Sequence, residues 1–150
     1  MRKVPERRLW IGNAADLRNP AAIMAAEIAA LIELADGEPS ANLPRDLVRG
    51  RFPLSDGGDN PAWLLRLAAE TVAALVRAEV PTLVCCSAGM SRSVAIAAAG
   101  LALADARSLE DSLRTVAAAG PHDVSPTLYA QLQRAIMAPA NDSGLPAPCG

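Results

Sequence analysis

The middle of the chain reads PTLVCCSAGMSRS over residues 81–93. Its first part, from Pro81 to Cys85, is a short apolar run with β-branched residues, which predicts a buried central strand. The small residues from Ser87 to Ser91 predict a loop, and the alanine-rich stretch from about Arg92 to Ala104 predicts a helix. The predicted centre of the molecule is therefore a strand that runs through a small-residue loop into a helix.

The segments on either side alternate between strand-like and helix-like patterns, which is typical of a three-layer α/β domain. We predict further strands over residues 8–12 and 47–54. The pattern from 21 to 34 is ambiguous, since a buried strand over 30–35 after a short helix fits it as well as a longer helix. Helix starts are predicted at Asn19-Pro20, Pro61, the capping box of Ser108 and Asp111, and Ser125-Pro126. The expected fold is a short mixed sheet of four or five strands flanked by helices.

Composition excludes several classes of protein. The chain has 150 residues, of which 51% are hydrophobic and 20% charged, so it is not expected to be disordered. The net charge of -2 and the sequence pI of about 5.4 give no basic surface for nucleic acid. No apolar run reaches the roughly 18 residues that a membrane helix needs. We therefore expect neither a nucleic-acid nor a membrane partner.

The cysteines and the two termini indicate the cellular compartment of the protein and the limits of its domain. Cys85, Cys86 and Cys149 are odd in number and two are adjacent, so they are not a disulfide framework and predict a reduced, cytoplasmic protein. The first eight residues include four basic side chains without a following apolar stretch, which we interpret as a solvated terminus rather than a secretory signal. Residues 139–150 are predicted to be a flexible tail, which leaves 1–138 as the domain.

The small-residue loop has the features of an anion site built around a thiol. Successive backbone N–H groups of a tight loop form a nest, and the following helix adds its unpaired N–H groups and its dipole. A cysteine in such positive potential, here Cys86, has a lowered pKa and becomes nucleophilic. Arg92, six positions later, places a guanidinium fork opposite it. Gly89 allows the tight turn.

The pattern Cys86-x5-Arg92-Ser93 between a strand and a helix resembles the phosphate-binding loop of cysteine-based protein phosphatases. It is most similar to that of the small dual-specificity phosphatases. The stretches LWIGN (9–13), PLSD (53–56) and the segment 121–132 also resemble that family, so the likeness covers most of residues 9–136. The resemblance implies the fold of these phosphatases and hydrolysis of phosphate monoesters without metal or cofactor.

The resemblance also implies roles for individual residues. Cys86 would attack phosphorus and form a phosphocysteine intermediate, and Ser93 would hydrogen-bond its sulfur. Asp56 would be the general acid, with Asp59 as the alternative. The substrate phosphate would be held by the loop residues Ser87, Ala88, Gly89, Met90, Ser91 and Arg92.

The sequence departs from the family at the residue before the nucleophile. The family usually has a histidine there, which helps to order the loop and sustain the thiolate, whereas this chain has Cys85. Adjacent cysteines form only a strained disulfide, so we interpret Cys85 as a buried structural residue rather than a redox partner of Cys86.

The loop interior favours a phosphorylated protein as substrate. It has no Lys or Arg besides Arg92, whereas a polyphosphorylated inositol lipid would need more cations. Phosphotyrosine and phosphoserine/threonine both remain open. Two alternative functions are a rhodanese-like sulfurtransferase, which also uses a cysteine after a strand but has no acid loop, and a non-catalytic phosphate-binding module.

Overall fold

The computed structural model describes residues 1–43 and 46–138, and the predicted tail over 139–150 lies outside the described residues. The strands are β1 (Arg2–Lys3), β2 (Leu9–Gly12), β3 (Ala30–Ala35), β4 (Val48–Leu54) and β5 (Thr82–Cys85). The α-helices are α1 (Pro20–Ala25), α2 (Ala62–Arg77), α3 (Arg92–Asp105), α4 (Leu109–Ala117) and α5 (Pro126–Met137).

The strands form one mixed sheet in the order β1-β2-β5-β3-β4, which confirms the predicted fold class. Only β1 is antiparallel to its neighbour. The predicted central strand β5 lies between β2 and β3, and Cys85 pairs in register with Gly12 on one side and Glu33 on the other. Parallel strands end at the same edge of a sheet, so the loops that follow β2, β3 and β5 meet at one edge.

The two faces of the sheet are covered unequally. Helices α2 to α5 and one face of the sheet together form the larger hydrophobic core. Ile23 of α1 belongs to a smaller cluster on the other face of the sheet. Side chains alternate along β5: Leu83 and Cys85 join the smaller cluster, while Val84 and Cys86 join the larger one. The adjacent cysteines therefore face opposite sides of the sheet.

Local signals placed most of the element starts correctly. Asn19, Ser108 and Ser125 each accept a hydrogen bond from a backbone N–H in the first turn of the helix they precede, as expected of N-cap residues. The ambiguous stretch resolves into the short helix α1 followed by β3, all six residues of which are buried. The two-residue strand β1 was not predicted, because a pair of residues carries no periodicity.

Among residues 1–43 and 46–138, the helices lack the combination of length and hydrophobicity that a membrane-spanning segment requires.

The packing of α2 predicts a stability difference between two leucines of that helix. Leu65 is fully buried, whereas Leu67 is 46% exposed. We expect Leu65→Ala to lower the free energy of unfolding by about 2–5 kcal/mol, because it leaves a cavity in the core. Leu67→Ala is the matched control and is expected to change it by no more than about 0.5 kcal/mol. Equal effects of the two substitutions in urea denaturation would contradict the described packing.

Candidate active site

The loop of residues 86–91, called the Cys86 loop below, connects the carboxyl end of β5 to the start of α3. Cys86 is 4% exposed, and Ser91, Arg92 and Ser93 are also buried. The first N–H groups of an α-helix lack partners within the helix, and the positive end of the helix dipole lies there. The sequence-predicted loop is therefore located where a strand end and a helix start meet.

The carbonyl groups of the Cys86 loop are held from outside. Three of them accept hydrogen bonds from other segments: Ser87 from the Ala14 N–H at 3.2 Å, Gly89 from Arg2 Nη2 at 2.7 Å, and Met90 from the Asp123 N–H at 2.9 Å. The C=O and N–H of a trans peptide point in opposite directions, and the described residues contain no cis peptide. The N–H groups of Ala88, Met90 and Ser91 are consequently directed to the other side, as in the predicted nest.

Gly89 is required by the shape of the loop. Its φ is +70°, in the left-handed region that favours glycine. A Cβ atom at this position would lie 2.9 Å from the carbonyl oxygen of Gly12, which is backbone of β2 and has little freedom to move. The Gly89 N–H donates to the Cys86 Sγ at 3.2 Å.

The Cys86 sulfur is in an environment that favours the thiolate. Burial raises the pKa of the Cys86 thiol, but the hydrogen bonds of Ser93 and the Gly89 N–H and the charge of Arg92 lower it by more, so the pKa lies below its ordinary value. The Ser93 Oγ is 3.3 Å from the Sγ. The sequence-predicted nucleophile, hydroxyl and arginine are thus brought together.

Cys85 has the opposite character. It is buried, with 1% of its surface exposed. Burial raises the pKa of the Cys85 thiol strongly, and the negative charges of Asp16, Cys86 and Glu33 raise it further. This thiol is therefore neutral and lies on the other face of the sheet from Cys86. The structure confirms that Cys85 is buried, and its neutral thiol does not favour disulfide chemistry with Cys86.

The two Nη atoms of Arg92 are hydrogen-bonded, whereas its Nε lacks a partner among the described residues. Its Nη1 donates to the Leu54 carbonyl at 2.9 Å and to the Asp36 carboxylate at 3.3 Å, and its Nη2 donates to the Ser87 Oγ at 3.0 Å. Its Nε is buried without a hydrogen-bond partner among the described residues. A buried donor without a partner is costly, and a bound anion would satisfy it.

The loop after β4 contains both candidate acids. Asn60 closes it, because its side chain accepts from the Ser55 N–H at 2.8 Å and donates to the Ser55 carbonyl at 2.9 Å. Asp56 and Asp59 are both exposed. Asp56 is two residues after Leu54, whose carbonyl accepts a hydrogen bond from Arg92. The backbone just before Asp56 is therefore attached to the Arg92 guanidinium. The assignment of the acid to Asp56 stays a prediction.

Sequence reasoning missed Arg2, Asp36 and the carbonyl of Leu54. The interpretation of the basic terminus as solvated is wrong for Arg2, which contacts the Cys86 loop, and for Arg7, which pairs with Asp105 at 2.5 Å. No local pattern could have revealed these contacts, since each joins residues far apart in the chain. Within the described ranges, no group of three or more His, Cys, Asp or Glu side chains is placed to hold a metal ion.

No family model matches the sequence, and no curated protein matches it. Solved structures do match. Human DUSP28 has a TM-score of 0.81 and 24% identity over 91% of this chain and 96% of its own. A mouse protein described as a dual specificity phosphatase, in complex with zinc tungstate, has a TM-score of 0.80 and 26% identity over 91% of this chain and 86% of its own.

A third solved structure has a lower sequence identity. It is the human tyrosine phosphatase-like serine/threonine/tyrosine-interacting protein, with a TM-score of 0.75 and 16% identity over 89% of this chain and 93% of its own. The chain therefore has the fold of the dual-specificity phosphatases. The resemblance drawn from the Cys86 loop is confirmed at this level.

The contrast between the two thiols predicts selective alkylation. In a Cys149→Ser background, we expect iodoacetamide to modify Cys86 at neutral pH, below the ordinary pKa of a free thiol, and to leave Cys85 unmodified, as read by tandem mass spectrometry. Ser93→Ala removes a hydrogen bond that lowers the pKa of Cys86, so alkylation at that pH should slow. Ser112→Ala, in α4, is the matched control. Modification of Cys85, or an unchanged rate in Ser93→Ala, would contradict the assignment.

Proposed function

We propose that this protein is a phosphate-monoester hydrolase that acts on phosphorylated protein side chains through a phosphocysteine intermediate. The observation that supports this most directly is the Cys86 sulfur with its lowered pKa, held by the Gly89 N–H at 3.2 Å and the Ser93 hydroxyl at 3.3 Å. The unpartnered Nε of Arg92 supplies a donor for a phosphate oxygen in the same place.

In the first step, the Cys86 thiolate attacks phosphorus and an S–P bond forms. The bond between phosphorus and the leaving oxygen breaks, and protonated Asp56 gives its proton to that oxygen. The charge on the equatorial oxygens is stabilised by the inward N–H groups and by Arg92, which are already oriented before the reaction.

In the second step, water attacks phosphorus while the Asp56 carboxylate accepts a proton from it. The S–P bond breaks, the Cys86 thiolate is regenerated, and inorganic phosphate leaves. The Ser93 hydroxyl is 3.3 Å from the sulfur and would stabilise the negative charge that returns to it. Neither step needs a metal ion.

The charge of the loop supports a protein substrate. Arg92 is the one cation within residues 86–92, and the guanidinium of Arg2 binds a carbonyl of the loop rather than its N–H side. A single guanidinium and a ring of N–H groups match one phosphate group, not several. Both phosphotyrosine and phosphoserine/threonine are within this substrate class.

The proposed thiolate chemistry also supports a cytoplasmic location. A catalytic thiolate works only while it is reduced, so we place the protein in the cytoplasm, with residues 1–138 as the catalytic domain.

A non-catalytic phosphate-binding module is the second candidate. Two observations favour it: Cys85 stands where the family usually has a histidine, and one structural neighbour is named tyrosine phosphatase-like. Such a module would bind the phosphate group without hydrolysing it. A sulfurtransferase is less favoured, because it has no use for the aspartates after β4; persulfide on Cys86 after incubation with thiosulfate would support it.

Hydrolysis of p-nitrophenyl phosphate separates these candidates. We expect turnover by the wild type, none by Cys86→Ser, and a loss of roughly 10²–10³-fold in Arg92→Ala, because a charged group that stabilises the transition state is removed. Arg92→Lys should recover little, since lysine lacks the planar fork. Binding of phosphate without turnover in the wild type would instead assign the module.

The acid is tested by comparing two substrates. A poor leaving group depends more on protonation, so Asp56→Asn should slow phenyl phosphate by roughly 10²–10⁴-fold and p-nitrophenyl phosphate by less. Asp59→Asn is the matched control; if it alone shows these effects, the acid is Asp59.

A further inference from the structure

Arg2 links three parts of the molecule. It lies in the edge strand β1, yet its Nη2 donates to the Gly89 carbonyl at 2.7 Å and its Nη1 donates to the Pro121 carbonyl at 2.5 Å. These partners are 87 and 119 residues away along the chain. One guanidinium thus connects the N-terminal strand, the Cys86 loop and the connection between α4 and α5.

The connection between α4 and α5 packs directly against this side chain. Gly120 has a φ of +149°, and a Cβ there would lie 2.8 Å from the Arg2 Cδ and 3.1 Å from its Nη1. The same connection holds the loop at a second point, through the Asp123 N–H and the Met90 carbonyl at 2.9 Å. Arg2 is therefore packed as well as hydrogen-bonded. Its partner Gly89 lies in the Cys86 loop, and its partner Pro121 lies in the connection that contacts this loop.

The contact with Gly89 determines the direction of one N–H in the site. The Gly89 carbonyl and the Met90 N–H belong to one trans peptide, so a carbonyl held toward Arg2 leaves the N–H on the opposite side, toward the interior of the Cys86 loop. The carbonyls of Ser87 and Met90 are held by backbone N–H groups. Of these three anchors, Arg2 alone is a side chain, and it makes the bond with a formal positive charge.

We propose that Arg2 is a positioning residue for the anion site, which holds the Gly89–Met90 peptide with its N–H toward the bound phosphate. The inference deepens the proposed function, because it takes the bound anion to be the phosphate of the substrate. Lysine would keep the charge but could not reach both carbonyls with a planar fork. Arg2→Lys should therefore retain part of the effect.

The test uses the full chain with a Cys149→Ser substitution, and it measures protection of Cys86 from iodoacetamide by tungstate. Tungstate is a tetrahedral oxyanion, and this assay needs no turnover. The variants are Arg2→Met and Arg2→Lys. Lys3→Met is the matched control, since Lys3 is an exposed cation of the same strand. The Lys3 Nζ lies 5.3 Å from the centre of the Trp10 ring, and Lys3 makes no hydrogen bond to the Cys86 loop among the described residues.

In Arg2→Met, we expect the tungstate concentration for half-protection to rise roughly tenfold, as for the loss of one hydrogen bond to a charged group. Alkylation should need a higher pH, because Gly89 would then hold the sulfur less well. Arg2→Lys should fall between these values, and Lys3→Met should match the wild type. Arg2→Met should lose some stability with its two hydrogen bonds but remain folded at the assay temperature, as read by circular dichroism. For phenyl phosphate, the rise in KM should accompany the rise in half-protection.

Unchanged protection in Arg2→Met, or an equal loss in Lys3→Met, would overturn the proposal. Partial unfolding of Arg2→Met at the assay temperature that accounts for the lost protection would also overturn it, because Arg2 would then support the fold and not the site. Failure of the proposed function is a separate result: the wild type would be protected by tungstate but would hydrolyse neither aryl phosphate. Absence of protection in the wild type would overturn both proposals.

Discussion

The inward direction of the N–H groups in the Cys86 loop is the constraint on which the rest of the site depends. Converging N–H dipoles repel one another, and the loop carbonyls need partners when the backbone is buried. The structure meets this need from outside the loop, with the Ala14 N–H, the Arg2 guanidinium and the Asp123 N–H. These donors come from distant parts of the chain, so the shape of the loop is a product of the whole fold.

The strand before the loop explains why two adjacent cysteines differ so much. Side chains alternate across a sheet, so Cys85 enters the small cluster beneath α1 while Cys86 turns to the face where α3 begins. Burial and nearby negative charges raise the pKa of Cys85, whereas hydrogen bonds and Arg92 outweigh burial and lower that of Cys86. The opposite character of these two adjacent thiols is therefore a consequence of strand geometry.

Arg92 connects the Cys86 loop to the loop after β4, which contains both candidate acids. Arg92 begins α3, and its Nη1 binds the carbonyl of Leu54, the last residue of β4. The loop with Asp56 and Asp59 starts one residue later. The order β5-β3-β4 in the sheet brings these segments to one edge, although about 30 residues separate Asp56 from Cys86.

Much of this protein could be predicted from local signals. The apolar run of β5, the capping residues Asn19, Ser108 and Ser125, and the spacing of Cys86 and Arg92 each act over a few residues, where backbone preference and periodicity decide the outcome. Strand β1, the contacts of Arg2 and Asp36, and the unpartnered Nε of Arg92 could not be predicted in this way. They depend on which distant segments meet at one sheet edge, and only the packing of the complete chain determines that.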